Sequence, residues 1–213
     1  MEHIAIDLGS RESQICVRNE KGEIVEERRY VTARLEKYLA KRAPGARVLV
    51  ESSAEAFTVA DWARQCGHQA RVVPAALVRV LGVGERGLKN DQRDARKLSE
   101  MDCRMCVPSV HVPSRLRRDH QARVTARDAL VQVRTKLVNT VRSFIRMLAL
   151  PAVRATPKTL TKHIRLVLQE HPDGIPDYLE QLLITIEGLN QQLEQADEAL
   201  AQIADTDPIC QRL

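Results

Sequence analysis

The chain has 213 residues, a formal net charge of +5 and 44% hydrophobic residues, enough for one large domain or two small ones around a packed core. Aromatic residues make up only 3%, which excludes a stacking platform for single-stranded nucleic acid. The longest apolar stretches, near 78–83 and 147–153, are far too short to span a bilayer, and the acidic start at Glu2 has no signal-peptide pattern, so a cytoplasmic protein without membrane association is expected.

The first third reads as strands. Residues 4–7 form a short buried strand and 14–18 a second one after a turn. Lys21-Gly22 supplies a hairpin turn, and 24–30 resume the alternation. Residues 32–42 read as a helix with Leu35 and Leu39 on one face and Pro44-Gly45 beyond its end. Val48-Leu49-Val50 is the continuous apolar run of a strand covered on both faces. Residues 54–66 form an amphipathic helix closed by Gly67, and 70–73 form another strand. Pro74 opens a short helix, 82–87 are a glycine-punctuated loop, and a helix runs from near Asn90 to about Arg104. The order β-β-β-α-β-α-β-α predicts an α/β domain: a mixed sheet with helices on both faces, the order of the ribonuclease H-like fold.

After Pro113 the character changes, which sets a boundary between residues 1–112 and an all-helical region, 113–213. Residues 114–150 read as one long helix, broken at most once and ending at Pro151, and 156–170 as a shorter one. In the last helix Leu179, Leu182, Ile186, Leu189, Leu193, Ala196, Leu200 and Ile203 step by alternating threes and fours, the seam of a coiled coil. Leu130, Leu137, Val141, Phe144 and Leu148 give the earlier helix a similar stripe. The seam fits an antiparallel hairpin within the chain and a dimer equally well.

Charge is segregated along this helical region. Between His111 and Ala155 ten Lys or Arg face only Asp119 and Asp128, whereas from Gln169 to Leu213 ten acids face one base, Arg212. The basic stretch (Arg115, Arg117, Arg118, Arg123, Arg127, Arg134, Lys136, Arg142, Arg146) invites phosphate. Basic and acidic helices also pair with each other, and a helix has faces enough for both. The five cysteines are an odd, scattered set that argues against a disulfide framework. Cys103-x-x-Cys106, with His111 and His120 in reach, is a weak zinc signal, and the thiols read better as small buried side chains.

Four acids carry the chemistry. Asp7 and Glu51 each end an apolar run, at the same end of two strands expected to be parallel neighbours, where α/β sheets place their sites. Asp91 and Asp94 lie three apart on one helix face behind the glycine loop. Singly, each has a structural explanation: a turn residue, a helix-dipole partner, a capping pair. Together they can converge on a point, and divalent metal is what neutralises so much negative charge. Lys89, Arg93 and Arg96 flank the pair and could hold phosphate beside it.

Asp7, Glu51, Asp91 and Asp94 resemble the DEDD set of the insertion-sequence transposases related to Piv invertases, a family described as bridge-RNA-guided recombinases. Lys89-Asn90-Asp91-Gln92-Arg93-Asp94-Ala95 is the most specific match. Residues 67–74, 107–114 and Arg134-Thr135-Lys136-Leu137-Val138-Asn139 are also similar in register, so the resemblance covers nearly the whole chain. One departure is Ser52-Ser53-Ala54 after Glu51, where the family pattern leads one to expect a glycine nearby. The resemblance implies a RuvC-like domain that binds Mg²⁺ (or Mn²⁺) through the four acids. It further implies DNA and a guide (bridge) RNA as partners, and a coiled coil that assembles protomers as a dimer or tetramer. It also implies a further C-terminal domain bearing a serine nucleophile; that domain is expected to begin about where residue 213 falls, so the chain reads as an N-terminal part. The rival readings are a self-contained RuvC-like junction resolvase using water, and a non-catalytic RNA-binding and dimerising module. A third, an actin-like ATPase suggested by Ile6-Asp7-Leu8-Gly9-Ser10, ranks low because the region after Ser114 has almost no glycine.

Overall fold

Three hairpin-linked strands open the chain, β1 (His3–Asp7), β2 (Glu12–Arg18) and β3 (Ile24–Val31), followed by β4 (Arg47–Glu51) and β5 (Gln69–Val73). The β2–β3 turn forms because Asn19 Oδ1 accepts from the backbone N–H groups of both Lys21 and Glu23 at 3.0 Å, while Gly22 takes the left-handed conformation at φ 81°. The sheet order is β3-β2-β1-β4-β5, with β1–β2 and β2–β3 antiparallel and β1–β4 and β4–β5 parallel. A mixed five-stranded sheet in this order is consistent with the ribonuclease H-like fold expected from the sequence.

Strand alternation assigns the two faces. Ile4, Ile6, Val48, Val50 and Val72 join one buried cluster with Leu35, Tyr38 and Leu39 of α1 (Leu35–Leu39) and Val59, Ala60 and Ala63 of α2 (Ala56–Gln65). The intervening residues Ala5, Leu49 and Val73 join a second cluster with Val78 of α3 (Ala75–Val80) and Leu98 of α4 (Asp91–Arg104). Helices therefore cover both faces. The helix expected over 32–42 is shorter: a 3-10 turn, Thr32–Arg34, precedes the single turn of α1. Thr32 is drawn away from α-helical geometry because its N–H donates to Arg11 O and its hydroxyl to Gly9 O.

The computed structural model describes residues 1–80, 91–105, 107–169, 172, 174–208 and 210–212; the side chains at 79, 80, 91 and 212 lie outside that description. The glycine-punctuated stretch 82–87, Lys89, Cys106 and the Asp91 side chain thus lie outside the described residues. The chain divides into two units, Met1–Pro113 and Ser114–Leu213.

The second unit is helical: α5 (Arg115–Met147), α6 (Leu160–Gln169) and α7 (Asp177–Thr206). Ser114 caps α5, its hydroxyl accepting from Arg117 N–H at 3.3 Å. α5 runs unbroken and ends where Ala149 enters the left-handed region at φ 54°, just ahead of Pro151. Val138, Val141 and Ile145 of α5, Leu160, Ile164 and Leu168 of α6, and Leu179, Leu183 and Ile186 of α7 form one core. Arg127 pairs with Asp197 and Arg134 with Asn190, so α7 runs antiparallel to α5. Of the two arrangements the seam allowed, the hairpin within the chain is present. Its Leu179, Ile186, Leu189 and Leu193 are buried, and its Leu182, Ala196, Leu200 and Ile203 are less enclosed.

Candidate active site

Asp7 and Glu51 are the last residues of β1 and β4. The parallel register pairs His3 with Arg47 and Ile6 with Val50, so one step further brings Asp7 and Glu51 opposite each other. Alternation from Ala5 and Leu49 turns both toward the face covered by α4. The chain just beyond each acid is fixed. After Asp7, the Thr32 hydroxyl donates to Gly9 O at 2.7 Å and lies 2.8 Å from Ser13 Oγ. A side chain at Gly9 would sit 2.2 Å from Glu12 O, so only glycine fits this turn. After Glu51, the Ser52 N–H donates to Val73 O at 2.8 Å and Ser52 Oγ accepts from Ala75 N–H at 3.1 Å. The serine at this departure from the family pattern thus ties the end of β4 to the start of α3.

α4 lies across β1 and β2 antiparallel to β1. Near its C-terminus, Asp102 accepts from His3 Nδ1 at 2.5 Å, at the start of β1, and faces Arg47 at 3.4 Å, at the start of β4. Leu98 meets Ala5 and Leu49 in the middle. Asp94, a further four residues back and on the same helix face, is buried with 7% exposure. Eight helix residues rise about 12 Å, and the four steps from His3 to Asp7 rise about 13 Å. Asp94 therefore stands level with the carboxyl ends of β1 and β4. Asp91 is one turn nearer the helix N-terminus. Among the described residues, no three His, Cys, Asp or Glu side chains lie in a group that could hold a metal ion. Asp7, Glu51 and Asp94 are among those residues and are not brought together as a ligand group; their chemistry suits a metal, since carboxylates are the all-oxygen ligands that hard divalent cations take.

The flanking and helical cations divide into two groups. Arg93 is exposed, whereas Arg96 binds both oxygens of Glu27 on β3 through Nε and Nη2. That pairing holds the Glu27 carboxyl below its usual pKa and raises that of Arg96. On α5, Arg123 pairs with Asp119, Arg127 with Asp197 and Asp128, and Arg134 with Asn190, while Arg142 donates to Ala155 O. Arg115, Arg117, Lys136 and Arg146 are exposed, and Arg118 is half-buried. Cys16 is buried with its sulfur 3.2 Å from Ser99 Oγ, and burial raises its pKa. Cys66 and Cys103 are half-buried and Cys210 is exposed, so among the described cysteines the expectation of buried thiols holds for Cys16 alone. The residues that sequence reasoning passed over are His3, Arg47 and Asp102; the four-residue spacing of Asp94, Leu98 and Asp102 is the signal that could have found the last.

Residues 4–149 match the IS110 DEDD transposase family, described as Transposase, and the match takes in all four acids. The chain belongs to this family. The transposase for insertion sequence element IS1328 of Yersinia enterocolitica is 30% identical over 217 residues, covering 99% of this chain and 62% of that protein. The transposase for insertion sequence element IS1111A of Coxiella burnetii is 25% identical over 216 residues, covering 99% of this chain and 57% of that protein. The chain thus spans less than two thirds of the length of the curated relatives it matches. No described helix is long and apolar enough to cross a membrane.

Proposed function

We propose that this chain carries the acidic half of a DNA transposase active site. In this reading Asp7, Glu51, Asp91 and Asp94 hold Mg²⁺, with Mn²⁺ as substitute. The observation that supports the proposal is that Asp7 and Glu51 end adjacent parallel strands on the sheet face that α4 covers, with Asp94 buried on that helix. A divalent cation bound there supplies Lewis-acid stabilisation of charge on a DNA phosphodiester. The chain's own residues do the rest: the Thr32–Gly9 and Ser52–Ala75 hydrogen bonds fix the strand ends, and α4 brings Asp91 and Asp94 across the sheet edge. In this reading the attacking serine comes from a separate part of the transposase, as the family resemblance implies. The RuvC-like assignment of residues 1–112 is part of the same proposal.

Exposed Arg115, Arg117, Lys136 and Arg146 would track the phosphates of DNA or of a guide (bridge) RNA, interactions that position without reading sequence. Assembly as a dimer or tetramer through the helical region is the companion proposal. Leu116 and Val124, exposed on the first turns of α5, support it.

The test is a calorimetric titration of Mn²⁺ into the chain beside the double variant Asp91→Ala/Asp94→Ala. Binding by the parent and its loss in the variant support the site. Equal binding by both overturns it. Cleavage of branched DNA by this chain alone would favour a self-contained nuclease that uses water.

A further inference from the structure

The face of α4 that meets the sheet is built in three levels. At the top are Asp94, Asp7 and Glu51. In the middle, Leu98 packs with Ala5 and Leu49. At the bottom, Asp102 is fully enclosed between His3 and Arg47, whose Cα atoms are register partners on adjacent strands. The bottom level is a charged cluster where a sheet–helix interface normally has apolar side chains. Arg47 Nε is buried with no hydrogen-bond partner among the described residues, so the cluster is not arranged for greatest stability. Apolar contacts such as Leu98 are non-directional, whereas a buried ionic contact is satisfied only where its partners meet.

We infer that His3, Arg47 and Asp102 are positioning residues: a clamp at the amino ends of β1 and β4 that sets the axial position of α4 and so holds Asp94 level with Asp7 and Glu51. The clamp acts about 12 Å from the acids and touches neither substrate nor metal. Two further interactions act in the same direction, Arg18 Nε to Ser99 Oγ at 3.0 Å and Arg96 to Glu27, but both sit over β2 and β3, beside the acid-bearing strands. The catalytic consequence rests on the metal-site reading above; the placement of α4 does not.

The test replaces the cluster by apolar side chains of similar size, His3→Leu/Arg47→Met/Asp102→Leu, an exchange that often leaves stability unchanged or higher. Amide hydrogen exchange and Mn²⁺ affinity are then read on the full chain. The expected result is exchange at least tenfold faster over 92–98, unchanged exchange in β1 and β4, and Mn²⁺ affinity at least tenfold weaker. If exchange in α4 matches the parent, or if helix and strands loosen together, the clamp is overturned. A parent that binds no Mn²⁺ while the variant frees α4 removes the metal reading and leaves the clamp standing. Asp102→Asn, which keeps the shape and removes the charge, gives the same readouts at smaller amplitude should the triple variant not fold.

Discussion

Asp94 and Asp102 share one face of α4 two four-residue steps apart, both buried, and they mark opposite ends of the β1–β4 strand pair. Asp102 is matched by His3 and Arg47. Asp94 stands at the end where two more acids lie. The charge match at Asp102 fixes the direction and register of the helix, and with them the level at which Asp94 stands.

Asp7→Asn should abolish Mn²⁺ binding, with at least a tenfold fall in affinity by calorimetry. It should leave the melting temperature within a few degrees, since the substitution keeps the size of a half-buried strand-end side chain. A variant that binds Mn²⁺ as tightly as the parent would remove Asp7 from the site.

Gly9→Ala should destabilise the α/β unit by about 1–3 kcal/mol in urea unfolding followed by Trp62 fluorescence. The new methyl would meet Glu12 O, a backbone atom with little room to yield. Because the turn follows Asp7 directly, weakened Mn²⁺ binding should accompany the destabilisation.

Ala149→Gly should stabilise the helical unit by up to ~1 kcal/mol, because Ala149 occupies the left-handed region at φ 54°. Thermal unfolding read by far-UV circular dichroism checks it; a lowered midpoint would show that the position prefers a Cβ.

The Glu27–Arg96 ion pair carries a pH dependence of known sign. The guanidinium hydrogen bond lowers the folded-state pKa of Glu27, so its contribution is complete above the unfolded carboxylate value of about 4.3 and is lost as pH falls below that through the depressed folded value. Glu27→Gln should therefore be less stable than the parent at neutral pH and equal to it in strong acid. A difference that persists in acid would point to packing instead of charge.

Nucleic-acid binding should discriminate the two groups of cations. Replacing Arg115, Arg117 and Lys136 by Ala should flatten the salt dependence of binding by about one unit of slope for each phosphate no longer neutralised. Replacing Arg127, which is engaged with Asp197, should change the slope far less. Equal effects in a filter-binding series at several salt concentrations would mean that the hairpin pairs open on binding.

The sheet was legible because its signals are local: apolar runs of four or five residues, Lys21-Gly22 at the hairpin and Gly67 at a helix end. Asp7 and Glu51 were legible for the same reason, each closing such a run. His3, Arg47 and Asp102 were not, because their meeting depends on a helix residue placed 99 positions from His3 in sequence. Nor could periodicity decide which partner the α7 seam would choose. That followed from polar side chains outside the seam, Arg127 and Arg134 facing Asp197 and Asn190.

Those polar side chains are spaced by heptads. Arg127 and Arg134 are seven apart, as are Asp197 and Asn190. On the other flank of α7, Lys158 meets Glu194, and Arg165, seven residues on, meets Glu187 and Glu180. A helix pair cross-tied at this interval behaves as a ruler with one graduation. Removing or inserting seven residues in both α5 and α7 keeps every tie facing its partner, whereas a change of one or two rotates the ties out of reach. Length in this part of the molecule is therefore quantised, and its variation among related proteins should come in whole heptads.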